Sequence, residues 1–243
     1  AVVKAGVFTV LKITVYIFGI EYLQNMGVSE WLQYMAATTI ILASLVAMTK
    51  DNLKARLAYS TVSQLSYIVL AAMLVSDSSI IGGGMHIVTH AFGKITLFFC
   101  AGAIMVAAHK TEISDMRGLG RVMPFTFAAF FIGSLSIIGL PPFAGLWSKW
   151  YIAVGALEAD QLFFVGVLML SSLLNVAYLL PIAINGFFGR DDKAENTTSS
   201  KPEPMKEAPV ACLIAMGISS LGCLLVFFFP NHLLTLMRMV VAP

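Results

Sequence analysis

Apolar runs separated by short polar connectors make up almost the whole chain, the runs falling at residues 2–20, 31–49, 57–76, 80–108, 123–155, 161–189 and 208–230. A membrane-crossing helix needs about 20 apolar residues, so the pattern predicts an all-α, polytopic transmembrane bundle of about seven spans. The connectors test that count independently. In order, 21–30 holds no Lys or Arg; the next connector holds Lys50, Lys54 and Arg56; the turn at Asp77 holds none; Lys110, Arg117 and Arg121 follow; the turn at Glu158 and Asp160 holds none; and Arg190, Lys193, Lys201 and Lys206 come last. Basic residues on every second connector are what the positive-inside rule predicts when each run crosses once. The N-terminal end is then expected inside and the C-terminus outside.

The fifth run, 123–155, is too long for one straight crossing, and Gly139-Leu-Pro-Pro-Phe-Ala-Gly145 sits within it. Pro141 and Pro142 remove backbone donors and clash with the preceding turn, so a broken helix is expected at Gly139–Pro142. Breaks at membrane depth are tolerated where they are buried in protein or line a cavity. Three regions are expected: a translocating bundle over 1–189, a polar, mobile cytoplasmic loop over 190–207, and a last membrane helix with a surface tail bearing Arg238 over 208–243.

Composition narrows the class further. The chain is 58% hydrophobic and 12% charged, with a mean hydropathy of +0.87, whereas soluble domains carry about a quarter charged residues. This is an integral membrane protein. A net charge of +2, with no basic patch, sets nucleic acid aside as a partner. Cys100, Cys212 and Cys223 lie in apolar runs without ligand spacing, and are expected as buried small hydrophobes rather than as metal ligands or disulfides. No motif for a phosphate, a dinucleotide, a catalytic metal or a nucleophilic serine is present. No cofactor, metal or catalytic site is therefore expected.

The remaining chemistry is proton exchange at membrane depth. His86, His90 and Lys94 are spaced by four within the fourth run, so they share one helix face over roughly 12 Å of axis. Ionisable groups in hydrocarbon are costly, and usually face a bundle interior or a wet cavity where they carry function. Lys4 and Lys12 lie in the first run, and Lys149 follows the expected break between Trp147 and Trp150. Histidine exchanges protons near neutral pH, and rows of such groups linked by Ser, Thr and water are what a proton relay requires. Ser60, Thr61, Ser63 and Ser66 also read as small polar glue between helices, and Asn175 and Tyr178 as interhelical hydrogen bonds.

Four motifs resemble a known family: Val3-Lys4-Ala-Gly-Val-Phe-Thr-Val-Leu-Lys12, Asp51-Asn-Leu-Lys54-Ala-Arg-Leu-Ala-Tyr-Ser60, His86-Ile-Val-Thr-His90-Ala-Phe-Gly-Lys94 and Gly139-Leu-Pro-Pro-Phe-Ala-Gly145-Leu-Trp-Ser-Lys149. In order and spacing they are similar to the antiporter-like proton-translocating subunits of respiratory complex I and of multisubunit cation/proton antiporters, over about residues 1–190. The resemblance implies helices broken at the membrane centre, with Lys4 and Lys149 at the first and second breaks, Lys54 as the connecting lysine, and His86, His90 and Lys94 as the mid-membrane relay. It also implies partner membrane subunits, protons as cargo with Na⁺ or K⁺ as candidate counter-ions, and a bacterial inner membrane as the location. The chain starts at Ala1 and reads as the second half of such a subunit, without the glutamate that the family sets against Lys4.

Two other readings compete. One is a non-conducting scaffold in a respiratory or hydrogenase complex, whose buried basic groups only fix packing. The other is a subunit of a membrane oxidoreductase that handles quinone directly. Neither has a motif of its own in the sequence.

Overall fold

The computed structural model describes residues 2–27, 29–189 and 205–241. Ten α-helices appear among them: α1 (Val2–Ile13), α2 (Ile20–Met26), α3 (Ser29–Thr49), α4 (Leu53–Leu74), α5 (Asp77–Ala108), α6 (Pro124–Ile138), α7 (Gly145–Glu158), α8 (Leu162–Phe188), α9 (Val210–Phe228) and α10 (Asn231–Val241). Five of these, α3, α4, α5, α8 and α9, are long and apolar enough to cross a membrane, and α6 is a shorter apolar helix. The seven expected runs all reappear. They differ in that the first is α1 followed by a π-helical stretch (Thr14–Phe18), and the fifth is divided between α6 and α7. Most of the expected loop over 190–207 lies outside the described residues. Its end is anchored, because the Lys206 amide donates to the Val122 carbonyl and the Glu207 carboxylate accepts from the Phe125 and Thr126 amides at the start of α6. The expected surface tail is α10, which packs against the first half of α5.

Helix boundaries follow local chemistry. Asn52 opens α4 by accepting from the Ala55 amide, and Ser76 and Ser79 form a reciprocal capping box at the start of α5. Gly139 closes α6 in a left-handed conformation, φ 89°, which glycine adopts without a Cβ penalty. Of the cysteines, Cys100 and Cys223 are buried as expected, but Cys212 is exposed. It stands on the exposed face of α9 among the described residues.

The centre of the bundle is α5, and what packs along it fixes the position of the break. Leu97 lies against Gly133 and Ile137 against Gly93, so α6 runs along the second half of α5. A Cβ on Gly82 would lie 2.6 Å from the Ile152 amide nitrogen, and Gly155 abuts Ser79, so α7 runs along the first half. The two short helices therefore succeed one another along a single partner. The break between them falls opposite the stretch of α5 that holds His90. The Gly82-Gly-Gly84 run serves close packing, with Gly83 against Leu11 of α1 and Ala71 of α4.

Candidate functional site

Four-residue spacing on α5 does align the three basic side chains, and all three are buried. The His86 and His90 rings stack with centroids 5.7 Å apart. His86 Nδ1 lies 2.9 Å from Ser148 Oγ on α7, and Thr89 Oγ1 lies 3.2 Å from the same hydroxyl. The other face of His86 stacks on Tyr67 of α4 at 5.5 Å. His86 Nε2 and both ring nitrogens of His90 are buried and, among the described residues, have no hydrogen-bond partner. Buried polar atoms are almost always hydrogen-bonded, so these positions suit ordered water.

Lys94 makes its hydrogen bonds to α4, the helix whose Tyr67 stacks on His86. Its ammonium donates to Ser60 Oγ at 2.7 Å and to the Leu57 carbonyl at 3.1 Å, both on α4. Ser60 Oγ is also 2.9 Å from the Tyr178 hydroxyl of α8, which bonds in turn to Asn175 Oδ1.

Lys149 sits just beyond the break. Its ammonium donates to the Ile138 carbonyl at 2.9 Å and to Ser172 Oγ at 3.1 Å, and stands 5.2 Å from the centre of the Tyr67 ring. Ile138 is the last residue of α6, where helix carbonyls lack intrahelical partners and a cation is favoured. The break is held from the far side by α9, through the Ala144 amide to the Cys223 carbonyl (3.0 Å) and the Trp147 indole to the Phe227 carbonyl (3.0 Å). The peptide between Pro141 and Pro142 is cis, and Gly145 abuts the Ser136 carbonyl, where a side chain would clash.

The other two expected positions lie apart. Lys4 is half-buried on α1, whose inward face carries Val7 and Leu11 against Leu65, Ile68 and Ile80. Lys54 is exposed at the start of α4, its ammonium 3.3 Å from Met105 Sδ, and is not brought into the row. Lys12 is exposed as well. The structure adds Ser60, Tyr67, Ser148, Ser172, Asn175 and Tyr178 to the site. Only spacing hinted at them: Asn175 and Tyr178 are three apart on one face of α8, a signal that packing and chemistry share.

Residues 1–175 match the family described as NADH:quinone oxidoreductase/Mrp antiporter, TM. The chain is 33% identical over 210 residues to the NADH-quinone oxidoreductase subunit N of Desulforudis audaxviator, covering 84% of this chain and 42% of that protein. It is 34% identical over 216 residues to the subunit L of Rickettsia bellii, covering 88% and 32% respectively. Among solved structures, a chain of the Mrp complex from Dietzia sp. superposes with a TM-score of 0.80 at 22% identity, covering 91% of this chain and 48% of that one. A chain of the membrane-bound sulfane sulfur reductase, an archaeal respiratory membrane complex, gives 0.77 at 25% identity, covering 89% and 43%. The chain thus spans less than half the length of the relatives it matches.

Proposed function

This chain belongs to the NADH:quinone oxidoreductase/Mrp antiporter transmembrane family, and on that premise we propose that it moves protons across a membrane as part of a multisubunit assembly. The observation that carries the reading is the pair Lys94 and Lys149. Both ammonium groups lie inside the bundle, and among the described residues their hydrogen bonds go to hydroxyl and carbonyl oxygens, none to a carboxylate. A cation held at membrane depth by neutral oxygens alone is costly to keep, and such a group is suited to alternate between charged and neutral forms as protons arrive and leave.

Between the lysines, His86 and His90 supply ring nitrogens that can accept on one side and donate on the other. Their unpartnered nitrogens leave room in the hydrogen-bond pattern for water to join His90 to Lys94. Ser148 joins His86 to the helix that bears Lys149. Lys4, half-buried at the edge of the bundle, is the proposed point of exchange with a neighbouring half-channel, and Lys54 with a neighbouring segment at the inner surface. The assembly is of the complex I or Mrp kind, in a bacterial inner membrane with the N-terminal end inside.

The test is proton flux in proteoliposomes containing the complete assembly. Lys94→Ala and Lys149→Ala should each lower flux by about tenfold or more, a floor below the about hundredfold or greater contribution typical of a positioned proton-transfer group. The scaffold reading predicts the reverse: impaired assembly, with normal flux from every complex that does assemble.

A further inference from the structure

The Ser60 hydroxyl departs from the habit of its helix. On α4, Thr61 and Ser66 turn their hydroxyls back to the carbonyls of Leu57 (2.8 Å) and Val62 (3.0 Å), the ordinary arrangement for such a group inside a helix. Ser60 Oγ instead lies between two side chains from other helices, 2.7 Å from the Lys94 ammonium of α5 and 2.9 Å from the Tyr178 hydroxyl of α8. The Tyr178 hydroxyl bonds in turn to Asn175 Oδ1 on its own helix. α4 and α8 meet a second time where Arg56 Nη1 donates to the Tyr178 carbonyl at 3.2 Å, so the tyrosine is tied to α4 through its backbone as well. Ser60, Lys94, Asn175 and Tyr178 are all buried.

Counting protons gives this cluster a direction. Tyr178 has a single hydroxyl proton and two oxygens beside it, Asn175 Oδ1 and Ser60 Oγ. An amide oxygen can only accept, so the phenolic proton lies toward Asn175. The proton between Tyr178 and Ser60 is then the serine's own, which leaves Ser60 Oγ with only lone pairs for Lys94. An ammonium has donors and no acceptor, so donation from Lys94 to Ser60, from Ser60 to Tyr178 and from Tyr178 to Asn175 satisfies each bond in turn. Resting on the proton-translocating reading, we propose that Tyr178 and Asn175 are positioning residues for Lys94, which they hold in place through Ser60. Neither bonds to the lysine. They keep the Ser60 proton turned away from Lys94 and so fix the place from which the ammonium exchanges its own proton, and such transfers are sensitive to displacements of about 1 Å.

The experiment measures proton flux per assembled complex in proteoliposomes, using the complete assembly and a cycle of single and double variants. Ser60→Ala should lower flux by about tenfold, the worth of a hydrogen bond to a charged group, and Ser60→Thr, which keeps the hydroxyl, should retain most of the wild-type flux. Tyr178→Phe, which removes one oxygen and keeps the ring, should lower flux by about fivefold on its own. Added to Ser60→Ala, it should lower flux by less than about twofold further. A role in packing alone would lower flux by the same factor in either background. Asn175→Leu should show the same dependence on Ser60, and carries the test if Tyr178→Phe does not assemble. Unchanged flux in Tyr178→Phe overturns the proposal, as do independent losses from Tyr178 and Ser60, or a Ser60→Thr variant no better than Ser60→Ala. Lys94→Ala runs alongside: if it loses flux while Tyr178→Phe does not, the positioning role alone falls, and if it keeps flux, the translocating reading falls with it.

Discussion

The Lys149 ammonium donates to the carbonyl of Ile138, 2.9 Å away and eleven residues back across the helix break. This one contact places a cation at the open C-terminus of α6, where unsatisfied carbonyls concentrate negative partial charge. It joins the break to the chemistry, since the group that would exchange protons is also the group that closes the half-helix. Lys149→Met, similar in length but uncharged, should leave that carbonyl unpaired and loosen the break. Hydrogen exchange at the amides of 139–144 in the assembled complex should then rise, and unchanged protection there would separate Lys149 from the break.

Gly139 has φ 89°, and a Cβ added there would approach Lys149 Cδ to 3.0 Å. Gly139→Ala should therefore cost about 1–2 kcal/mol for the left-handed conformation and also displace the lysine. A thermal melt of the purified complex reads the first effect, and flux per complex reads the second. A melt lowered with flux intact would show that the lysine tolerates the shift.

Gly82 lies where a Cβ would come within 3.0 Å of the Ser148 carbonyl and 2.6 Å of the Ile152 nitrogen. Gly82→Val should push α7 away from α5, lengthen the contact between His86 and Ser148, and destabilise the bundle by about 1–3 kcal/mol, as overpacking generally does. Flux should fall further than it does for Ser148→Ala, which removes the contact without moving the helix.

Arg56 ties the start of α4 to the end of α3 and to α8 through the carbonyls of Lys50 (2.8 Å), Tyr178 (3.2 Å) and Met48 (3.4 Å). Hydrogen bonds from a charged donor are worth about 1.5–3 kcal/mol each before solvent screening, and this guanidinium is only partly buried. Arg56→Ala should then lower stability by about 2 kcal/mol, seen as a lower midpoint in thermal unfolding of the solubilised complex and a smaller yield of assembled particles.

The fold was legible in the chain because each crossing run is bounded by polar connectors and because two consecutive prolines admit only one place for a break. The α5 column was legible for the same reason: a spacing of four leaves a single face. The sequence could not show where Lys94 points. A helix register fixes the direction in which a side chain leaves the axis, but not which neighbouring helix receives it, and α4 presents Ser60 where His90 presents no partner. Tyr178 and Asn175 read as ordinary interhelical glue because a packing hydrogen bond and a relay hydrogen bond use the same residues at the same spacing. Lys54 carried the family's motif, yet its side chain leaves α4 on the exposed side.

The central claim is that Lys94 and Lys149 pass protons between them through the interior of the bundle. Flux per assembled complex in Lys94→Ala and Lys149→Ala proteoliposomes tests it most directly. The account predicts that each variant assembles and conducts at about a tenth of the wild-type rate or less; wild-type flux from both would contradict it.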